Sequence, residues 1–206
     1  MPPIDDWHGF VYAPSEKIVG DRREIFTCRN VAKNMTITAY FHEETREYKL
    51  RIKIGLNELV RIEYIASKPA AFTERLQTYF SQLLADLGEE NPLKPPLLTE
   101  KGLFAWDYGE ILPPSLEGFS LFIAPNAPFP VANGSYIIVD YSDFAIKSNF
   151  ILMYNIFRDE FFGEARIADV PIVTYDFDAV TVERLALLIK TKLAAKLREI
   201  RRSATE

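Results

Sequence analysis

Two groups of carboxylates are the residues of this sequence whose types and spacing could do acid/base chemistry. Asp140 and Asp143 lie three residues apart in "IIVDYSDF", where Asp140 follows three apolar residues and is expected to be partly buried. A buried aspartate pair can supply a general acid and a general base. In the second group, Asp159 and Glu160 adjoin Arg158 in "FRDEFF". Both groups also fit structural roles, because aspartates are common at strand ends and in turns.

The segment around Asp159 is interpreted as a hairpin turn rather than a catalytic cluster. At an offset of 102 residues, "YKLRIKIGLNELVRIEYIASKP" (48–69) aligns without a gap with "FILMYNIFRDEFFGEARIADVP" (150–171), with six identities in 22 positions. In this register Asp159 stands where Asn57 stands, in a polar turn. Both stretches are predicted to read strand, turn, strand, proline and amphipathic helix. The alignment therefore predicts a tandem repeat.

Other catalytic and metal-binding signatures are missing from the sequence. His8 and His42 are the only histidines, and neither has a second ligand at metal-type spacing. Cys28 is the only cysteine and is interpreted as a buried, inert thiol in a strand. There is no glycine-rich phosphate loop and no Gly-x-Ser-x-Gly motif. We therefore expect no metal and no cofactor, and the balance of the sequence favours binding over catalysis.

Four residues are candidates for binding a ligand or a partner. Trp106 and Tyr108 lie in a proline-rich connection, where such a cluster anchors a partner or fills the protein's own core. Met153 lies in a predicted strand that is apolar on both faces, and Phe157 follows that strand. Such a strand needs cover on both faces, from the connection, the N-terminal segment or a second subunit.

A basic stripe is the strongest electrostatic feature of the sequence. Lys49, Arg51 and Lys53 share the outer face of a predicted strand, with Arg61 across the hairpin. A basic sheet face binds RNA when aromatic side chains interleave to stack bases. Here the aromatic residues fall on the opposite face, and Glu63 interrupts the positive charge. The stripe is interpreted as a solvated face, which argues against nucleic-acid binding.

The pattern of apolar residues predicts an α+β fold. Strict alternation over residues 48–54 is typical of a strand with one wet face. Apolar residues recur at three-four spacing in a predicted helix that Pro69 begins and Gly88 follows. A second helix is predicted over residues 178–202, with Asp178 as its cap. We expect an antiparallel sheet of two similar strand-rich halves, each followed by an amphipathic helix that packs on the sheet.

Length and composition favour a single domain over residues 1–206. Within it the first half is assigned to residues 24–88, a proline-rich connection to 89–118 and the second half to 119–202. The net charge is −5 and neither half is basic. No apolar run approaches the ~20 residues of a membrane span, and the first residues do not resemble a signal peptide. We expect a cytoplasmic protein that does not contact membranes.

Three function hypotheses follow, and the sequence resembles no family that we can identify. The first is a non-enzymatic protein that acts by protein–protein interaction or assembly, as a homodimer or with another protein. The second is a binder of apolar small molecules, with the ligand between helix and sheet near Trp106 and Tyr108. The third is an acid/base hydrolase that uses Asp140 and Asp143.

Overall fold

The computed structural model describes residue 4, residues 6–88 and residues 94–205. The chain divides into two compact units, Met1–Pro92 and Leu93–Glu206, each of which contains an antiparallel sheet and a long helix. The predicted α+β class with antiparallel strands is confirmed, although there are two sheets rather than one. The single-domain assignment stays a prediction, because compactness alone does not measure independent folding.

The first unit is a six-stranded sheet followed by a helix. Its strands are β1 (Val11–Pro14), β2 (Ile18–Val19), β3 (Arg22–Asn30), β4 (Met35–His42), β5 (Glu47–Ile54) and β6 (Asn57–Ala66). They pair antiparallel in the order β1-β3-β4-β5-β6, and β2 pairs with β3. In β5, Leu50 and Ile52 are fully buried while Lys53 is exposed, as strand periodicity requires.

Helix α1 (Pro69–Gly88) packs on β5 and β6. Its apolar stripe becomes one buried face, which comprises Phe72, Leu76, Phe80, Leu83, Leu84 and Leu87. Pro69 begins the helix as predicted, whereas Gly88 lies in its last turn rather than beyond it. A Cβ on Gly88 would come within 2.3 Å of His8 Cβ, so glycine lets the N-terminal segment approach the helix end.

The second unit contains a seven-stranded sheet and a long C-terminal helix. Its elements are α2 (Pro96–Glu100), a 3-10 turn (Leu103–Ala105), β7 (Ser115–Leu116), β8 (Phe119–Ile123), β9 (Phe129–Pro130), β10 (Ser135–Asp143), β11 (Ser148–Asn155), β12 (Glu160–Ile167), β13 (Val170–Ala179) and α3 (Val182–Thr205). The strand order is β13-β12-β11-β10-β8-β7, and β9 pairs with β10. Side chains of β10 to β13 and α3 form the core of this unit.

The C-terminal helix begins later than the sequence predicts. Asp178 lies in β13 and does not cap α3, because extended backbone continues to Ala179. Thr181 takes that role, since its Oγ1 accepts a hydrogen bond from the Arg184 N–H at 3.2 Å. Among the described residues, no helix combines the length and the apolar character needed to cross a membrane.

The predicted offset of 102 residues between the halves is wrong. That alignment gives Pro171 the place of Pro69 at a helix start, but Pro171 lies inside β13 and α3 begins at Val182. In that alignment β12 takes the place of β6, but β13 separates β12 from α3, whereas β6 leads directly to α1. Proline is tolerated in β13 because this strand forms the edge of its sheet.

Strand β11 is buried along its whole length. All eight residues from Ser148 to Asn155 are buried, and β10 and β12 flank the strand on its two sides. The prediction that this strand is buried on both faces is confirmed. Leu152 and Tyr154 point into the core that α3 shares, and Met153 is 7% exposed on the other face.

Candidate functional site

A concave surface lies on the face of the first sheet opposite α1. It is an open groove of 710 Å³. Its lining comprises Val11, Ala13, Pro14, Ser15, Lys17, Glu24, Thr27, Arg29, Val31, Thr36, Thr38, Arg51 and Lys53. Strands β1, β3, β4 and β5 supply most of these residues, so the regular part of the sheet positions the site.

Strand pairing places the groove residues in two rows across the sheet. Thr36 pairs with Arg29 on one side and with Lys53 on the other. In the next row Thr38 pairs with Arg51. Neighbouring strands are about 4.8 Å apart, so the backbones that carry Arg29 and Lys53 are roughly 10 Å apart. Short threonines on β4 therefore form a floor between long cationic side chains.

The groove is positively charged in a chain whose net charge is −5. Four of its residues are basic and one, Glu24, is acidic, so the lining carries a net charge of +3 before the neighbouring Glu58, which forms ion pairs with two of the four basic residues, is counted. Lys17 and Arg29 have no ion pair or side-chain hydrogen bond within the described ranges. Glu24 accepts a hydrogen bond from the Ser15 hydroxyl at 2.8 Å. These unpaired cations favour binding of an anionic group.

Arg51 separates the groove from a second, smaller cavity. That cavity measures 200 Å³ and is lined by Arg22, Tyr40, Arg51, Glu58, Leu59 and Val60. Arg51 Nη1 lies 3.2 Å from Glu58 Oε2, and its guanidinium carbon lies 5.9 Å from the centre of the Tyr40 ring. The Arg51 side chain is therefore held on both sides while it contributes to two cavities.

The basic stripe predicted from the sequence is only part of this surface. Arg51 and Lys53 line the groove. Lys49 does not line it and instead forms an ion pair with Glu47 at 3.0 Å. Arg29 was missed, because its place beside Lys53 depends on the pairing of β3 and β5 with β4. Alternation within "RREIFTCRN" does put Arg29 on the outer face, and that was the available signal.

The two candidate catalytic aspartates project from opposite faces of β10. Asp140 is fully buried and accepts hydrogen bonds from Ser142 Oγ at 2.7 Å and from Asn149 Nδ2 at 3.2 Å. Asp143 faces α3, where its Oδ2 accepts a hydrogen bond from Arg201 Nη2 at 2.6 Å. An odd separation in a strand puts side chains on different faces. The acid/base hypothesis stays a prediction that this geometry does not favour.

Asp159 lies in the turn between β11 and β12, as the sequence interpretation expects. Its backbone is left-handed, with φ of 54°. Its Oδ1 lies 2.7 Å from Lys101 Nζ and accepts a hydrogen bond from the Tyr154 hydroxyl. The hydrogen bond from Lys101, followed by that from Tyr154, holds the pKa of Asp159 below its usual value. These contacts tie the segment after α2 to the turn.

The Lys101–Asp159 contact predicts an acid-dependent stability. We expect Lys101→Met to lower the melting temperature at pH 7. A carboxyl with a depressed folded pKa stabilises the fold above its unfolded pKa of about 3.9, and that stabilisation is lost as the pH falls through the folded pKa. The difference between wild type and variant should therefore shrink below about pH 4. Thermal melts from pH 7 to pH 3 measure it.

Lys190→Met is the matched control for this experiment. Lys190 is exposed on α3 and has no ion pair among the described residues. Its variant should melt within about a degree of wild type across the same range, as expected for a surface change. A melting difference for Lys101→Met that is equally large at pH 3 and pH 7 would assign the loss to packing and to the hydrogen bond that Lys101 Nζ donates to the Val180 carbonyl at 3.1 Å, rather than to the contact with Asp159.

The four candidate binding residues are distributed over the second unit. Trp106 and Tyr108 are half-buried, lie 6.0 Å apart between ring centres and pack against the core of this unit. The same segment contributes Leu103 and Leu112, which are buried. Phe157 is 78% exposed in the turn after β11. The proposed binding role of these residues, and of buried Met153, stays a prediction.

A group of metal-type ligands surrounds His42 in the first unit. Oxygens of Asp21 and Glu44 and a nitrogen of His42 lie within 4.8 Å of one another. The Thr45 N–H donates to His42 Nδ1 at 3.2 Å, so the neutral ring carries its proton on Nε2. Nε2 lies 3.0 Å from Asp21 Oδ2, to which it donates. With both ring nitrogens engaged, this geometry favours a structural hydrogen-bond chain over a metal centre.

Cys28 is fully buried in β3. Desolvation raises the pKa of its thiol to about 12. A thiol in this environment stays protonated at neutral pH, which agrees with the interpretation of an inert side chain.

Comparison of the chain with protein-family models, with curated proteins and with solved structures finds no match in any of the three. The function must therefore be argued from the geometry of the chain itself.

Proposed function

We propose that this chain is a non-enzymatic protein that acts through protein–protein interaction, and that the groove of its first unit is the interaction surface. The observation that carries the proposal is an open groove of 710 Å³ with a net charge of +3, in which Arg29 and Lys17 lack partners among the described residues. Unpaired charges on a concave, ordered surface steer and fix an oppositely charged partner.

The composition of the groove supports binding rather than catalysis. Its lining contains no histidine, cysteine or aspartate, and the carboxylate of Glu24 is engaged with Ser15. Apart from Ser15, the uncharged polar side chains of the lining are three threonines, which have no histidine beside them in the lining to act as a general base. Such a surface is suited to hold a ligand by charge and hydrogen bonds.

We further infer that the two units are copies of one fold, in which the elements of the second unit follow those of the first at a constant offset along the chain. Strands β3, β4, β5 and β6 have the same lengths as β10, β11, β12 and β13, respectively. Within each of these four pairs the two strands begin the same number of residues apart as Arg22 and Ser135. Helices α1 and α3 keep this common offset, at Pro69 and Val182. Both sheets place these four strands side by side in chain order. These coincidences support a tandem repeat.

Irregular backbone features recur at the common offset. The last strand of each unit has a bulge in its pairing. Residues 61–66 of β6 lie opposite residues 48–50 of β5, and residues 174–179 of β13 lie opposite residues 161–163 of β12. Eight of the residues with left-handed backbone form pairs at this offset, which are Gly20 and Asn133, Asn34 and Lys147, Arg46 and Asp159, and Gly55 and Ala168. Bulges and turn conformations are specific features of a fold, so their recurrence supports common architecture.

The other hypotheses receive less support from the geometry. The proposed apolar ligand site has Trp106 and Tyr108 packed against a core that Leu98, Leu103 and Leu112 help to fill. Homodimer formation remains one form that the interaction can take. A single cysteine that is buried and reduced suits a reducing compartment, so we propose a cytoplasmic protein.

Site-specific photo-crosslinking in living cells tests the proposed interaction surface. A benzoyl-phenylalanine placed at Val11 or Val31, two exposed residues of the groove, should form protein adducts of discrete mass. The matched position is Ile62, which is 73% exposed in the same unit but outside the groove. Arg29→Glu should reduce the adducts about tenfold, equivalent to about 1.4 kcal/mol. Equal adducts from Ile62 and the groove positions would refute the proposal.

A further inference from the structure

Arg51 lines the groove and keeps 20% of its side chain exposed, although Glu58 holds its Nη1. Its Nε has no hydrogen-bond acceptor among the described residues, but this atom is buried, so a ligand would contact the exposed part of the side chain instead. A carboxylate oxygen is a strong partner for a guanidinium N–H, because the hydrogen bond is charge-assisted. Arg51 is therefore suited to receive an acidic group from a ligand.

The lining of the groove extends from β1 across β3 and β4 to β5, and basic residues stand on both sides of the part that lies over β4. Thr36 and Thr38 form its floor, Arg29 stands on the β3 side, and Arg51 and Lys53 stand on the β5 side. The two sides are roughly 10 Å apart at the backbone, which leaves room for one extended chain between them. Successive side chains of an extended chain point in opposite directions. A peptide that lies along the floor would direct its side chains alternately to the two sides.

The fold itself does not require arginines at these positions. At the common offset between the units, Ser142 stands in β10 where Arg29 stands in β3, and Glu164 stands in β12 where Arg51 stands in β5. These strands keep the same lengths and pairing with an uncharged or acidic residue in place of each arginine. The two arginines are thus a property of the first unit's groove rather than of the strand architecture.

We infer that the groove binds an extended, acidic segment of a partner protein, whose carboxylates pair with Arg29, Arg51 and Lys53. This inference rests on the proposed function and adds the chemistry of the partner. The net charge of +3 in the lining complements such a segment. Arg51 serves as the fixed anchor, because Tyr40 and Glu58 already hold its guanidinium in place.

Single-stranded nucleic acid is the competing anionic ligand, and the groove suits it less well. Proteins bind single strands by stacking bases on aromatic side chains. Among the residues that line the two cavities, Tyr40 is the one aromatic, and it is 3% exposed beneath Arg51. Without a stacking surface, an acidic peptide is the better match for this arrangement of cations.

Fluorescence anisotropy with the full chain tests the inference. The probes are labelled peptides of alternating glutamate and serine or alternating lysine and serine, and a labelled oligothymidylate, at low salt of about 50 mM. We expect the acidic peptide to bind best. Lys53→Glu should weaken that binding by about tenfold or more. Arg51→Lys, which keeps the charge but loses the planar guanidinium, should weaken it by about tenfold.

Lys68→Glu is the matched control, because Lys68 is exposed in the same unit and lies outside the groove. Lys68→Glu makes the same change of charge as Lys53→Glu. It should alter the affinity for the acidic peptide less than about threefold, because salt screens charges that lie far from the bound peptide. Equal losses for Lys53→Glu and Lys68→Glu, or tighter binding of oligothymidylate, would overturn the inference. Groove crosslinks that persist while the acidic peptide fails to bind would also overturn it, and would leave the proposed function standing. Melting temperatures of all variants confirm that they are folded.

Discussion

Leu84→Ala and Leu197→Ala are each expected to lower the free energy of unfolding of their unit by about 2–5 kcal/mol. Leu84 lies on α1 and Leu197 on α3, both are fully buried, and they correspond to each other at the common offset between the units. Removing a buried isobutyl group costs its transfer free energy and leaves a cavity. If the units are copies of one fold, the two losses should be similar.

The two tryptophans allow each unit to be followed separately. Trp7 lies in the first unit, 5.7 Å from Tyr12 between ring centres, and Trp106 packs on the core of the second. Urea denaturation in Trp106→Phe and Trp7→Phe backgrounds therefore reports one unit at a time. The control is Leu187→Ala, whose side chain is 51% exposed and should cost less than about 0.5 kcal/mol. A loss of several kcal/mol at Leu84 with almost none at Leu197 would contradict the repeat.

Local periodicity was sufficient to predict most of the elements. Strand β5 alternates between buried and wetter positions from Leu50 to Ile54, and α1 carries apolar residues at three-four spacing, so both could be predicted from neighbouring residues. Strand β13 was missed because Pro171 lies inside it, which is acceptable only at a sheet edge. That omission also misplaced the start of α3 and the offset between the halves.

The groove could not be predicted in the same way, because it depends on contacts between distant residues. Arg29 and Lys53 are 24 positions apart, and only their common pairing with Thr36 brings them to one row. Alternation within β5 predicts the stripe of Arg51 and Lys53, but it does not predict that Arg29 lies on the opposite side of the groove. The opposite faces of Asp140 and Asp143, in contrast, could be predicted from alternation within β10, because the two residues are an odd number of positions apart.

Asp140→Ala is expected to destabilise the second unit by about 1–3 kcal/mol. The buried carboxylate accepts hydrogen bonds from Ser142 Oγ and, through both oxygens, from Asn149 Nδ2. Both donors are themselves buried, so removing their acceptor costs desolvation energy that is not recovered. Asp107→Ala is the control, since Asp107 is exposed in a loop and should change stability by less than about 0.5 kcal/mol.

Replacing Asp140 with asparagine distinguishes a structural role of this aspartate from a catalytic one. Asp140→Asn keeps the size of the side chain but turns one acceptor into a donor that faces Asn149 Nδ2, so a structural role predicts a partial loss of stability. Urea denaturation followed by Trp106 fluorescence measures it. A general acid or base contributes to rate rather than to stability. Unchanged stability of Asp140→Asn, together with loss of a hydrolytic activity, would therefore favour the hydrolase hypothesis over the buried hydrogen-bond network that Asp140 forms with Ser142 and Asn149.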